Sequence, residues 1–115
     1  MSNPNYTDVK RDVGDVWAGI DGTTTIIVKS MIDRAQVVIK NITGTTTGDN
    51  QDAAIRALSD AFAVQNVLGG LGPETGDKEA LINMRDKFYS DADQALRVMA
   101  KSLNYYKVQF NQVNP

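Results

Sequence analysis

The chain contains no cysteine and no histidine. Without cysteine there is no disulfide framework and no thiolate to bind a metal. Without histidine, the commonest general base and the commonest metal ligand are missing together. No apolar run approaches the roughly 18 residues that a membrane-crossing helix needs. Basic residues never cluster beyond the pair Lys10-Arg11, so a polybasic membrane patch is lacking as well. The balance of 12 basic against 14 acidic residues, net −2, works against a partner whose many phosphates would need neutralising. Glutamate is scarce: 12 of the acidic residues are aspartate and 2 are glutamate. Aspartate favours caps and turns where glutamate favours helix interiors, so the bias fits short helices with marked starts.

The opening residues 1–6 are polar and are expected to be a flexible lead rather than a signal peptide. The triplets Asn5-Tyr6-Thr7 and Asn41-Ile42-Thr43 match a glycosylation acceptor, but the chain gives them no secretory context. With 115 residues, 42% of them apolar, one domain with a real core is expected. Its surface-to-volume ratio makes it marginal by itself.

Four helices are predicted. Thr7 is a candidate cap for the first, with Val9, Val13, Val16, Trp17 and Ile20 on one face and Asp21-Gly22 as its end. Trp17 reads either as a core anchor for this helix or as an interface anchor. The second helix follows a cap at Thr25. Its stripe is Val28, Met31, Ala35, Val38 and Ile42, widened by Ile27, Ile32 and Ile39. Lys29, Asp33, Arg34 and Lys40 recur at helical spacing and decide against a strand in this β-branched stretch. Gly44 closes it.

After a polar loop, Asp49 or Asn50 caps a third helix. It carries Ile55, Leu58, Phe62 and Leu68 among alanines small enough to let neighbours approach closely. Gly69-Gly70 and Gly72-Pro73 stop it. The fourth helix starts at Thr75 or Asp77 and runs to about residue 104 with the stripe Leu81, Met84, Phe88, Ala92, Ala95, Met99 and Leu103. Lys78, Arg85, Asp93, Arg97 and Lys101 form its opposite face, with Asp93 and Arg97 paired across one turn.

Beyond Asn104 the period falls to two. Tyr106, Val108 and Phe110 alternate with Lys107 and Gln109, the pattern of an extended segment with one apolar face. Such a tail either pairs with another protein's sheet or folds back over its own helices. Tyr105, Tyr106, Val108, Phe110 and Val113 are its candidate contact residues. Arg85, Arg97 and Lys101 join Trp17 as candidate interface residues.

Nothing in the pattern points to catalysis. Asp49 and Asp52 lack the alternation and terminal glutamate of a calcium loop. Asp91 and Asp93, two apart on a helix, face different ways and cannot act as an acid–base pair. Gly69-Gly70-Leu71-Gly72 follows a helix and lacks the lysine of a phosphate loop. Ser30, Ser59, Ser90 and Ser102 have no histidine to activate them. The expectation is a protein that is not an enzyme and takes no cofactor and no metal.

This order of elements resembles the head–tail adaptor, or connector, proteins of tailed bacteriophages. In them a short opening helix precedes a long one whose pattern is similar to Ile32-Asp33-Arg34-Ala35-Gln36-Val37-Val38-Ile39. A polar loop like residues 44–49, an alanine-rich helix like residues 53–68, a flexible link and a final helix with an extended tail follow. The resemblance covers roughly residues 7 to 113 and rests on a pattern of elements, not on a fixed motif. It implies a structural virion protein of the neck, assembled in the host cytoplasm. It implies a ring, by analogy of about twelve copies, between the portal and the next neck or tail protein. DNA would pass through that ring without sequence-specific contacts.

A second resemblance is to small secreted helical hairpins with a Trp-x-Gly turn. It rests on Trp17-Ala18-Gly19 and on Tyr89-Ser90-Asp91-Ala92-Asp93, which is similar to that family's export signal. The family's turn lies between two long helices, whereas here it follows one short helix with three more to come. A helical regulatory or chaperone-like module is the third reading. The expected architecture is an all-α bundle of about four helices over residues 7–104, a flexible 1–6 and an extended tail 105–115. The second, third and fourth helices would form the core, with the first packed across them.

Overall fold

The computed structural model describes residues 4–14, 24–70, 78–99 and 101. Among these residues the fold is all-α, with four helices: α1 (Tyr6–Val13), α2 (Thr24–Thr43), α3 (Asp49–Gly70) and α4 (Lys78–Arg97). There is no strand among the described residues. Val16, Trp17, Ile20, the caps expected at Thr75 or Asp77, and the whole tail 105–115 lie outside them.

The first helix starts earlier and ends earlier than expected. Asn5, not Thr7, is the cap. Its side-chain oxygen accepts from the Asp8 amide at 3.1 Å, and the Asp8 carboxylate accepts from the Asn5 amide at 3.1 Å. This reciprocal pair satisfies donors that a helix start leaves open. The helix stops at Gly14, whose φ of 59° suits glycine and whose amide closes onto the Lys10 carbonyl. What remains is a short helix that buries Val9 and Val13.

α2 merges the two expected rows into one face. Val28, Ile32, Ala35, Val38 and Ile39 are buried, and Met31 and Ile42 pack at the margin. Gly44, at φ 88°, closes the helix onto the Lys40 carbonyl, as its sequence position predicts. The following loop is held by its own threonines. The Thr47 amide donates to Thr45 Oγ1 at 3.1 Å, and the two hydroxyls lie 2.9 Å apart. Gly48 supplies the carbonyl that accepts the Asp52 amide, so α3 begins at Asp49 itself.

α3 is the axis of the bundle, touched by α1, α2 and α4. Its alanines explain why. Ala54, Ala61 and Ala63 are wholly buried, and with no side chain beyond Cβ they admit neighbours from several directions. Ile55, Leu58, Phe62, Val64 and Leu68 fill the remaining space. Ser59 is tolerated here because its hydroxyl donates back to the Ile55 carbonyl at 2.7 Å.

In α4 the core stripe is rotated from the expected one. Leu81, Arg85, Tyr89, Ala92, Asp93 and Leu96 are buried, whereas Met84, Phe88 and Ala95 are only half-buried. Arg85 and Asp93 therefore do not belong to a solvated face. Arg85 is 5% exposed, and three donor atoms of its guanidinium find acceptors: Gln65 Oε1 at 2.7 Å and Asp86 Oδ1 at 3.1 and 3.2 Å. A long side chain can bury its stem and lay its head along a neighbouring helix, which apolar periodicity does not register. The helix ends at Arg97, not near residue 104. The Met99 and Lys101 amides both turn back onto the Leu96 carbonyl, a closure that stops further helical bonding.

Candidate functional site

The polar chemistry of the molecule concentrates where α1 meets α3. Arg56 grips Asp12 in a two-pronged pair, Nε to Oδ2 and Nη2 to Oδ1, each 2.7 Å, across 44 residues of sequence. Two parallel charge-assisted bonds fix orientation as well as distance. They tie the short α1, which has only two buried valines of its own, to the central helix.

One turn along α3 from Arg56 sits Asp60, 2% exposed. Its carboxyl is hydrogen-bonded to that of Asp12, and burial, that bond and the Asp12 charge push its pKa up to about 10. At neutral pH Asp60 therefore carries a proton and donates it to Asp12. Burial alone would raise Asp12 as well. The hydrogen bonds from Arg56 and Asp60 and the charges of Arg56 and Arg11 outweigh it and hold Asp12 below the usual carboxylate range. Arg56 is raised in turn, first by its bond to Asp12. With Asp60 protonated, the Arg56 cation balances the Asp12 anion and the three groups carry no net charge.

This cluster forms one wall of an open cleft of about 360 Å³, lined by Asp12, Ala53, Arg56, Ala57, Asp60, Phe88 and Asp91. α3 supplies four of these residues, α4 two and α1 one. The lining is partly apolar, from the alanine methyls and the half-buried Phe88 ring. Asp91 is paired with exposed Lys87 at 3.3 Å. Asp93, two residues on, faces elsewhere and pairs with Arg97 at 3.0 Å, as expected from their spacing. Among the described residues, no group of three or more acidic side chains is placed to hold a metal ion. No described helix is long and apolar enough to cross a membrane.

A second polar cluster surrounds Arg85. The guanidinium lies 5.9 Å from the Tyr89 ring centroid. Burial raises the Tyr89 hydroxyl to about 12. This cluster joins α3 to α4 through Gln65 and is interior. Of the residues expected at an interface, Arg85 is thus occupied inside the chain, while Arg97 and Lys101 are exposed. Trp17, Tyr105, Tyr106, Val108, Phe110 and Val113 lie outside the described residues.

Sequence reasoning did not single out Asp12, Arg56 or Asp60. One signal was present: Asp60 is the lone charge in the run Leu58-Ser59-Asp60-Ala61-Phe62-Ala63-Val64, one turn after Arg56. A charge in such a run on a helix is buried or paired. No family model, no curated protein and no solved structure matches the chain.

Proposed function

We propose that this chain is a structural assembly subunit, a head–tail adaptor that forms a ring between the portal of a tailed bacteriophage and the next neck protein. The observation that carries the reading is the order and packing of its helices. A short capped helix, a long helix, a self-bonded polar loop, an alanine-rich axial helix and a final helix follow in the sequence that the resemblance implies. The polar contacts between helices support it in a second way. The Asp12–Arg56–Asp60 and Arg85–Gln65–Asp86 clusters hold helices to one another, which is the work of a rigid building block. The long outer face of α2 and the loop at residues 44–48 remain available to neighbours.

The ring would be assembled in the host cytoplasm and retained in the neck of the virion, with DNA passing through it. The test is to mix the purified chain with the portal ring from the same virus. The expected outcome, by negative-stain imaging and mass photometry, is a ring of this chain stacked on the portal. A chain that never binds the portal at micromolar concentrations refutes the reading.

A further inference from the structure

A ring needs each subunit to hold the next, and the described surface offers little for two rigid bodies to press together. A stable contact between proteins covers about 800 Å² on each partner around an apolar centre. Among the described residues only Val37 and Val98 are large apolar side chains left exposed, one on α2 and the other just past the end of α4. Asp8, Asp12, Asp91 and Asp93 are already paired with cations of their own chain.

An apolar joint of the right kind already exists within the chain. α1 packs on α2 and α3, where Val9 and Val13 complete a buried cluster with Val28, Ile32, Val64 and Val67. Asp12 locks it through the Arg56 fork, each bond 2.7 Å. These contacts define a groove whose fitting occupant is known. It is a short helix with two valines one turn apart and an aspartate beside the second.

α1 is also a separable part. Its start is closed by the Asn5–Asp8 pair and its end by the Gly14 amide on the Lys10 carbonyl, so its caps travel with it. At eight residues it is too short to persist undocked in water, so it must sit in some copy of this groove. From Gly14 to the start of α2 at Thr24 the chain takes ten steps, passing Gly19 and Gly22 and no proline. Ten residues span at most roughly 33 Å, more than the 26 and 17 Å of the molecule's two shorter dimensions. The same helix can therefore reach the groove of an adjoining copy.

We infer that α1 is exchanged between copies: Val9, Val13 and Asp12 of one subunit dock in the α2–α3 groove, against Arg56, of the next. The exchange needs no new surface, since every contact of the docked helix is remade with an identical partner. Passed on in one direction, it links copy to copy and closes into a ring. Traded between two copies, it makes a closed pair. The inference rests on the ring reading above and names the joint that would build the ring.

Cysteine cross-linking tests it, in a chain with no native cysteine to interfere. Asp12→Cys and Arg56→Cys are placed in separate chains carrying different tags. The two are mixed, with and without the portal, and treated with a short bis-maleimide. Exchange should give a product bearing both tags, at least ~10-fold above the cross-linking of either chain alone, because thiols of different copies are then held face to face. In a second arm both substitutions are made in one chain, and the bridge is closed at high dilution, before copies meet. That bridge ties α1 to its own α3. By sedimentation velocity and mass photometry, the bridged chain should stay monomeric wherever the unbridged chain associates.

A mixed sample without the doubly tagged product overturns the exchange, as does a bridged chain that associates like the unbridged one. So does a chain that stays monomeric at every concentration and on the portal. If bridged chains still form rings on the portal, only the exchange fails and the adaptor reading stands. If the doubly tagged product forms only as closed pairs, or the portal is never bound, the exchange holds and the adaptor reading fails.

Discussion

Replacing Asp60 by asparagine should remove most of the pH dependence of this protein's stability near neutrality. In the unfolded chain the Asp60 carboxyl ionises near its ordinary value of 3.8, whereas in the folded chain it does so at about 10. Between those values the folded state holds a proton that the unfolded state has released. Folding there takes up a proton, and stability declines as pH rises, by roughly 1.4 kcal/mol per pH unit for one proton. From about pH 5.5 to about pH 7.5 the loss is roughly 3 kcal/mol, a large share of the roughly 5–15 kcal/mol of a domain. Asp12 works in the opposite sense, but its contribution is lost only as pH falls below its ordinary 3.8. The chain has no histidine or cysteine, so few other groups titrate in this window. Asparagine can donate to Asp12 as the protonated acid does, yet it takes up no proton.

The assay is urea unfolding followed by far-ultraviolet circular dichroism at several pH values, for the unaltered chain and for Asp60→Asn. The advantage of the variant should widen by roughly 3 kcal/mol between about pH 5.5 and about pH 7.5. Parallel stability curves would refute a buried, protonated Asp60.

Three further outcomes follow from the packing. Arg56→Met removes the grip on Asp12, which is partly solvent-exposed, and should cost about 1–2 kcal/mol. Amide hydrogen exchange should then speed up at residues 6–13 ahead of α3. Ala61→Leu forces a branched side chain into a wholly buried site on the axial helix and should lower stability by about 1–3 kcal/mol in denaturant titration; a neutral result would mean that α3 is not closely flanked there. Deleting residues 105–115 should leave the helical circular dichroism nearly intact and abolish portal binding, and retained binding would exclude the tail as an attachment segment.

The helices were legible because periodicity is a local property. Val28, Ala35 and Val38 recur at turn spacing, and the glycine after Thr43 ends the helix whatever surrounds it. The rotated stripe of α4 was not legible. Tyr89 and Leu96 form its buried face with Arg85, and nothing local says that Gln65, 20 residues back, will accept a guanidinium proton there. The cap at Asn5 is a local feature that apolar periodicity does not mark, although Asn5 and Asp8 have the spacing of a reciprocal cap. The candidate site was invisible for the same reason as the α4 stripe: its parts lie on three helices.

The sequence by itself determined a helical domain, the order of its helices and the kinds of chemistry that its missing residue types exclude. Those follow from which side chains are present and how often they recur. Only the tertiary structure decided which face of each helix is interior and that α3 is the axis. It also decided that Asp60 keeps a proton against Asp12, which Arg56 grips, beside a cleft. The physical reason is that burial and pairing depend on distances through space. The ionisation of a carboxyl group is fixed by neighbours that the chain brings to it from far along its length.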